Sequence, residues 1–163
     1  MRASAHNSRD ANARLRILHV VLSIGPTNSP YNEHCLPMSE KRDISICTYF
    51  PSKIRPPATI NLFEGDSSLK GFFRTLRSAL DAKEYDVVHA HTPHVALLLL
   101  AVTLFRTGKS SASDVVTVHD SYPNYKLRNR LLFLPVFARF RKVVCCSYAS
   151  FASFPLVFTR LAG

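Results

Sequence analysis

Arg16-Ile-Leu-His-Val-Val-Leu-Ser-Ile24 is an almost continuous run of β-branched and aliphatic residues, and Gly25 and Pro26 bring it to an end. A strand that is buried on both faces has this composition, whereas a strand with one solvated face alternates apolar and polar residues. The run therefore predicts a central strand that pairs in parallel with its neighbours.

Strand and helix patterns alternate along the chain after residue 59. The predicted strands cover 59–63, 86–90, 114–118 and 142–146, and the predicted helices cover 69–83, 95–106 and 127–140. One more strand, over 43–50, alternates polar and apolar residues, which favours a half-exposed place near a sheet edge. This alternation is typical of parallel strands joined by right-handed crossovers. We expect a single-domain α/β fold, with an open, Rossmann-like, mostly parallel sheet and helices on both faces.

Three segments carry weaker signals. Residues 1–15 are polar and lack periodicity, which predicts a flexible leader before a domain that spans 16–163. Pro30 and Pro37 interrupt the segment 27–38, so we expect a loop with one helical turn there. Pro135 predicts a kink or a break in the last long helix.

The composition excludes several classes of protein. The chain has 163 residues, of which 47% are hydrophobic and 5 are glycine, so disorder, collagen and low-complexity repeats do not fit. Lys and Arg number 21 against 11 for Asp and Glu, and the net charge of +10 favours nucleic acid, anionic lipid or phosphorylated ligands as partners. No acidic residue follows Asp120, so the last third of the chain is purely basic.

Cysteine usage and apolar runs bear on localisation. The 4 cysteines fit neither a CxxC metal site nor a secreted disulfide framework, so we expect reduced thiols that pack inertly. Residues 1–14 lack the apolar core of a secretion signal, and the longest apolar run, 95–105, is shorter than the roughly 20 residues that span a bilayer. We expect a cytoplasmic protein, at most peripheral at the inner face of the membrane.

Polar residues cluster just beyond the carboxyl ends of three predicted strands, where ligands bind in open α/β sheets. The first group, Gly25 and Asn28, follows the predicted strand 16–24. The second group lies at the end of the predicted strand 86–90 and contains His89, His91, Thr92 and His94. The third group follows the predicted strand 114–118 and contains His119, Asp120 and Tyr122. Because the ends of parallel strands share one edge of the sheet, four histidines are expected to converge on one rim.

Three interpretations of these histidines stay open. His89 and His91 are two residues apart and face the same side of a strand, so with His119 they resemble a metal site, although the carboxylates of a hydrolytic centre are missing. Alternatively, they are hydrogen-bonding residues that close turns, with Thr92 capping the next helix. In the third interpretation they line a polar ligand pocket, and for His119 we favour this role, as a base or in orienting a hydroxyl.

Two basic stretches were considered for binding. Thr107-Gly-Lys-Ser110 has the letters of a P-loop tail, but it follows a helix and lacks the earlier glycine, so we interpret it as a loop. Between Lys126 and Lys142, apolar residues alternate with basic ones and form either a core face or a membrane-facing one: Leu131, Leu132, Leu134, Phe137 and Phe140. No nucleic-acid-binding module is recognisable, so nucleic acid is not an expected partner.

Three motifs together resemble a known family. They are Asp86-Val-Val-His-Ala-His-Thr-Pro-His94, Val115-Val-Thr-Val-His-Asp120 and Val143-Val-Cys-Cys-Ser147. The chain from 16 to 163 resembles the N-terminal, acceptor-side domain of retaining glycosyltransferases with the GT-B fold, of the family 4 type.

The resemblance implies roles for single residues. His119 matches the histidine that lies close to the transferred sugar and is the expected catalytic residue. Gly25 and Asn28 match the turn that approaches the donor phosphate, although the family's Gly-Gly pair is absent here. The remaining matches are cleft or acceptor residues: His89, His91, Thr92, Asp120 and Tyr122.

The resemblance also implies partners. A nucleotide sugar is the co-substrate, no metal or other cofactor is required, and the acceptor is a sugar or a lipid-linked sugar. The charge of the basic last third adds the hypothesis that the domain docks on an anionic membrane where such an acceptor lies. The donor-binding domain of such enzymes has no counterpart in residues 1–163, so we expect the isolated chain to be inactive unless a donor-domain subunit completes it. The alternatives are a non-catalytic binding or regulatory module of the same fold and a metal-dependent hydrolase.

Overall fold

The computed structural model describes residues 14–104 and 113–161. Residues 1–13 of the predicted leader lie outside these ranges, and so does the predicted loop Thr107–Ser110. Within them, six parallel strands form one sheet with the order β3-β2-β1-β4-β5-β6. The strands are β1 (Arg16–Val21), β2 (Asp43–Thr48), β3 (Ile60–Phe63), β4 (Val87–Ala90), β5 (Ser113–Val118) and β6 (Lys142–Cys145).

Helices connect these strands. A π-helical segment (Pro30–Cys35) continues into a short α-helix, α1, and the other α-helices follow in chain order. They are α1 (Leu36–Met38), α2 (Leu69–Ala82), α3 (Pro93–Leu104), α4 (Leu127–Arg139), α5 (Tyr148–Ala152) and α6 (Leu156–Leu161). The predicted α/β fold, an open Rossmann-like parallel sheet in one domain, is confirmed. None of the helices in the described ranges is long and apolar enough to cross a membrane.

The two faces of the sheet are covered unequally. Alternate residues of β1, such as Leu18 and Val20, pack against α2, α3 and α4 in the larger core. The other residues of the same strand, such as Ile17 and Val21, pack against Tyr31 of the π-helical segment in a smaller core. The connections between parallel strands are right-handed, so the face on which a connecting helix lies depends on the direction in which the chain crosses the sheet. The chain crosses in one direction from β1 to β2 and in the opposite direction from β4 to β6, which places the helices of these connections on opposite faces.

Two local predictions were wrong. Strand β2 is not half-exposed, because β3 takes the edge position beside it and residues 44–48 are buried. The segment 27–38 is not a loop with one turn, because Pro30–Met38 is helical throughout, with both prolines at the first or second positions of their segments. Pro30 sacrifices no helical hydrogen bond, since the first N–H groups of a helix lack intrahelical acceptors. Pro37 lies where the π-helical segment passes into α1 and supplies no N–H to the preceding turn.

Helix α4 has one buried and one exposed apolar face. Pro135 lies inside it, and the helix continues to Arg139 without a break. Phe133, Val136, Phe137 and Phe140 are buried in the larger core, whereas Leu127, Leu131 and Leu134 are exposed. Of the apolar residues considered for this stretch, the two phenylalanines therefore belong to the core and Leu131 and Leu134 face solvent.

Candidate functional site

The carboxyl ends of the central strands lie side by side along one edge of the sheet. In the strand order β2-β1-β4-β5, the residues that follow the strands are Lys53, Gly25, His91 and His119. This is the edge at which open α/β sheets bind ligands. The topology therefore brings the predicted site segments to one rim, as the sequence indicated.

Three histidines lie together beneath this rim, on the face of the smaller core. His19 and His89 are register partners on β1 and β4, so they project to the same side of the sheet. His91 follows His89 by two residues and projects to that side as well. One nitrogen from each of the three imidazoles lies within 4.8 Å of the other two.

The contacts in this histidine cluster are close. His19 Nδ1 lies 2.8 Å from His91 Nε2, so one of these nitrogens donates and the other accepts. His89 Nε2 lies 2.7 Å from the Thr117 hydroxyl on β5. His19 is fully buried and His91 is 1% exposed. His34, on the exposed side of the π-helical segment, places its ring 6.0 Å from the ring of His91.

Burial keeps the three imidazoles uncharged at neutral pH. Loss of solvation lowers the pKa of His19 to about 3 and that of His89 to about 4. Loss of solvation also lowers the pKa of His91, and the neighbouring imidazoles act in the same direction. The cluster therefore offers neutral nitrogens.

His119, in contrast, is exposed at the end of β5. Its Nδ1 lies 3.2 Å from the thiol sulfur of Cys146, the residue after β6. Burial, and secondarily the carboxylate of Glu33, raises the pKa of this thiol, so the sulfur keeps its proton at neutral pH. The ring of His119 stacks 6.4 Å from the ring of His91, at the margin of the histidine cluster.

Two other predicted residues form the turns of the rim. Thr92 Oγ1 accepts from the backbone N–H of Val95 at 3.3 Å, which confirms the predicted helix cap of α3. Asp120 Oδ1 accepts from Ser121 N at 2.7 Å and from Asn124 Nδ2 at 2.6 Å. The Asp120 carboxylate thereby holds the turn after β5.

The ring of Tyr122 packs against the larger core. The ring centroid lies 5.3 Å from that of Phe154 and 5.4 Å from that of Phe158, within an aromatic group of the larger core. Arg130 covers the ring at 5.1 Å. The cleft role expected of Tyr122 stays a prediction, and the contacts of its ring are with the core.

The loop after β1 is a tight turn with a cation beside it. Asn28 N donates to the Gly25 carbonyl at 3.1 Å, and Asn28 Oδ1 accepts from Tyr31 N at 3.1 Å. Lys53 N donates to the Ile24 carbonyl at 3.0 Å, and its side chain lies over Gly25. An exposed ammonium group thus stands beside the turn that was expected to approach a phosphate.

Residues 19–152 match the sequence model of Glycosyltransferase Family 4, which is most of the chain and contains the whole rim. The chain belongs to glycosyltransferase family 4. It is a GT-B glycosyltransferase N-terminal domain of the family 4 type, as the three motifs indicated. A search of curated proteins found no match.

The geometry of this family 4 domain revises the metal hypothesis. The sequence grouped His89 and His91 with His119, but the three nitrogens that approach within 4.8 Å belong to His19, His89 and His91. His119 stands outside that group because it follows β5, one strand further from β1.

Three residues of the rim were missed from the sequence. His19 is hidden inside an apolar run, Cys146 was interpreted as inert packing, and Lys53 follows a strand that had been placed near the edge. Their positions along the chain could have indicated them, because each residue lies in or just after a strand that pairs with a strand carrying a predicted site residue.

Proposed function

We propose that this family 4 domain is the acceptor-binding half of a retaining glycosyltransferase. It transfers a hexose from a nucleotide sugar to a sugar or lipid-linked acceptor when a donor-binding domain completes the cleft. The observation that carries the proposal is the exposed His119 at the end of β5, on the same rim as the Gly25 turn, in a chain that matches the family over residues 19–152.

His119 is suited to orienting a sugar hydroxyl. His119 Nδ1 lies 3.2 Å from the Cys146 sulfur, and because burial keeps that thiol protonated we assign the thiol as the donor and Nδ1 as the acceptor. The proton of the neutral ring then resides on Nε2, which presents an N–H donor to a ligand. A donor in a fixed direction stabilises oxygen atoms on which negative charge develops during transfer. Cys146 is accordingly a positioning residue, and His119 is the catalytic one.

The Gly25 turn is suited to the phosphate side of the donor. A side chain on Gly25 would meet only the aliphatic part of Lys53, at 3.7 Å, so the fold itself has room for a larger residue. Lys53 supplies an ammonium group within reach of a diphosphate, where cations and backbone N–H groups bind anions. Asn28 contributes by fixing the turn through Tyr31 N.

One wall of a cleft is not sufficient for transfer. The reaction requires donor and acceptor to be held within near-attack distance, and that positioning supplies a large part of the rate enhancement. The Gly25 turn with Lys53, together with His119, contacts only part of a nucleotide sugar. The isolated chain of residues 1–163 is therefore expected to be inactive.

The test compares the isolated chain with the protein captured from its native source by an antibody against residues 16–163. The mass of the captured protein shows whether a donor-binding partner or a longer chain accompanies this domain. Both samples are assayed with a panel of UDP- and GDP-linked hexoses and a lipid extract from the same source. Transfer is expected only in the captured sample. Transfer by the isolated chain above its His119→Ala control would overturn the need for a second half.

Variants of the active assembly test the residues. His119→Ala is expected to lower the transfer rate by about 10²-fold or more, the size of effect seen when a transition-state donor is removed. The matched control is His94→Ala, because His94, although expected on the same rim, is exposed in the first turn of α3 and makes no hydrogen bond or ring contact with the other histidines of the described residues. Equal rates in the two variants would overturn the assignment of His119.

The same proposal includes docking on an anionic membrane. Leu127, Leu131 and Leu134 are 73%, 62% and 43% exposed, and their spacing of four and three residues places them on one stripe of α4. Leu156 and Val157 of α6, which contacts α4, are 73% and 52% exposed. An apolar stripe of this kind inserts into the boundary between lipid headgroups and acyl chains.

Charge around the stripe favours anionic lipid. The described residues from Ser121 to Leu161 contain no carboxylate side chain, and five cations are exposed there: Lys126, Arg139, Arg141, Lys142 and Arg160. Each cation near an anionic surface contributes about 1 kcal/mol. A lipid-linked acceptor would then be presented at the membrane on which the domain rests.

Co-sedimentation with vesicles tests the docking. Binding is expected to vesicles that contain phosphatidylserine or phosphatidylglycerol, to weaken in high salt, and to be negligible with pure phosphatidylcholine. The double variant Leu127→Gln/Leu131→Gln is expected to lose binding. Leu69→Gln is the matched control, because Leu69 is 50% exposed on α2. Binding that ignores lipid charge, or that survives in the double variant, would contradict the docking.

A further inference from the structure

The histidine cluster, defined by His19, His89 and His91, has more nitrogens than hydrogen bonds. His19 and His91 share one contact of 2.8 Å, and within the described part of the chain His19 Nε2 and His91 Nδ1 have no partner. Both side chains are at most 1% exposed, so bulk solvent does not reach them. A buried polar group without a hydrogen-bond partner costs about 1–3 kcal/mol of stability. Two such nitrogens in one cluster indicate that a ligand binds there.

Either arrangement of protons leaves the same deficit. If His19 Nδ1 donates to His91 Nε2, the second proton of the pair sits on His91 Nδ1 and the lone pair of His19 Nε2 is unused. In the reverse arrangement, the lone pair of His91 Nδ1 is unused and His19 Nε2 keeps an unpaired N–H. The hydrogen-bonded pair therefore offers one free lone pair. For both rings to bind one ion, the ion replaces the shared hydrogen bond, and the bridging proton moves to the other nitrogen of its own ring so that each neutral imidazole presents one lone pair.

The spacing of the rings suits such an ion. With Zn–N bonds of about 2.0–2.1 Å in tetrahedral geometry, two imidazole ligands have ring centroids about 5 Å apart. The centroid of the His19 ring lies 5.1 Å from that of His91 and 5.3 Å from that of His89. The third pair, His89 and His91, is closer, at 4.0 Å, so these two rings must separate by about 1 Å to bind the same ion.

We propose that His19, His89 and His91 form a buried zinc-binding site that ties β1 to β4 beneath the rim. Three neutral imidazoles are the ligands, and His34 is the nearest further imidazole, with its ring 6.0 Å from His91. The ion enters from the side of His89, the one partly exposed member of the cluster, whose ring also contacts Thr117.

The site is structural and separate from the proposed sugar transfer. His119 is not a ligand of this site, and its ring centroid lies 6.4 Å from that of His91. Zinc binding and glycosyl transfer therefore have independent tests.

The experiment uses the whole chain without a histidine tag, purified with EDTA and then dialysed against zinc chloride at neutral pH. One equivalent of zinc per chain is expected by elemental analysis, together with a rise in melting temperature that EDTA reverses and magnesium does not produce. The fourth position falls to His34 or to a water molecule, and cobalt(II) in place of zinc is expected to give the intense visible bands of such a four-coordinate site. Less than half an equivalent of zinc, without a change in melting temperature, would overturn the proposal.

Variants locate the ion. His91→Asn and His19→Gln are each expected to weaken zinc binding by at least about 100-fold, since even residues behind the ligands contribute 10–100-fold. His34→Ala is expected to weaken it less, and His94→Ala, an exposed matched control, not at all. If the buried variants do not fold, the stoichiometry and the cobalt spectrum of the unaltered chain decide the question. An equal loss in His94→Ala would assign the zinc to the surface and overturn the site.

Discussion

His19 Nδ1 lies 2.8 Å from His91 Nε2, although 72 residues separate the two along the chain. This contact exists because β1 pairs with β4 in parallel and both side chains project toward the smaller core. Its consequence is that the pair is stable only when uncharged, since a protonated imidazole in this interior would lose its solvation without gaining an anionic partner.

Stability of the metal-free protein is expected to fall in mild acid. The pKa of His19 is lowered to about 3 and that of His89 to about 4, whereas both are near 6.5 in the unfolded chain. The unfolded state therefore binds more protons below pH 6.5, and stability is full above that value and declines between about pH 6.5 and 4. Each buried histidine contributes a loss of about 2 kcal/mol by pH 5.

Urea unfolding in EDTA at a series of pH values measures this decline. His94→Ala serves as the control, because it removes an exposed histidine and should leave the slope unchanged. A free energy of unfolding that stays constant from pH 7 to pH 5 would show that the cluster is solvated.

The thiol of Cys146 is expected to set the tautomer of His119. Cys146→Ser keeps a donor toward Nδ1, whereas Cys146→Ala removes it and lets the proton shift to that nitrogen. Nitrogen-15 NMR of the His119 ring distinguishes the two tautomers directly. Transfer by the active assembly should fall in the alanine variant and recover in the serine variant; the same tautomer in all three proteins would exclude a positioning role.

Two glycines in loops are expected to respond oppositely to alanine. At Gly65 a Cβ atom would lie 2.3 Å from the Tyr49 carbonyl oxygen and 2.5 Å from that of Thr48, so backbone must shift. We expect Gly65→Ala to cost about 1–3 kcal/mol of stability. At Gly25 the nearest atom, in Lys53, is 3.7 Å away, so Gly25→Ala should leave the melting temperature nearly unchanged.

Thermal unfolding of the two glycine variants checks the comparison. The same pair separates fold from function, because any loss of donor affinity in Gly25→Ala then reflects contact with the ligand. Equal melting temperatures of the two variants would contradict the close approach at Gly65.

The two faces of α4 are expected to differ sharply in stability. Phe133 is fully buried, and its ring centroid lies 4.9 Å from that of Tyr125 and 5.1 Å from that of Phe154. Phe133→Ala should cost about 3–5 kcal/mol, whereas Leu131→Ala should cost little, because Leu131 is 62% exposed. Denaturant unfolding measures both, and a large cost at Leu131 would mean that the exposed stripe is covered by another part of the protein.

Much of the fold could be predicted because its signals are local. The buried run of β1, the helical spacing of α2 and the cap at Thr92 depend on residues within a few positions of one another. Burial of β2 could not be predicted, because it depends on β3 taking the edge. The helical segment Pro30–Met38 could not be predicted because proline usually interrupts a helix, whereas here Pro30 occupies the first turn and Pro37 lies at the junction of the π-helical segment with α1.

The sequence by itself determined the parallel α/β class, the rim that carries His119 and the membership of family 4, since strand runs, strand ends and motifs are written along the chain. The tertiary structure alone decided that His19 joins His89 and His91, that Cys146 faces His119, and that α4 exposes leucines. The physical reason is that strand register and helix rotation arise from packing between distant segments, and they determine which side chains share a face.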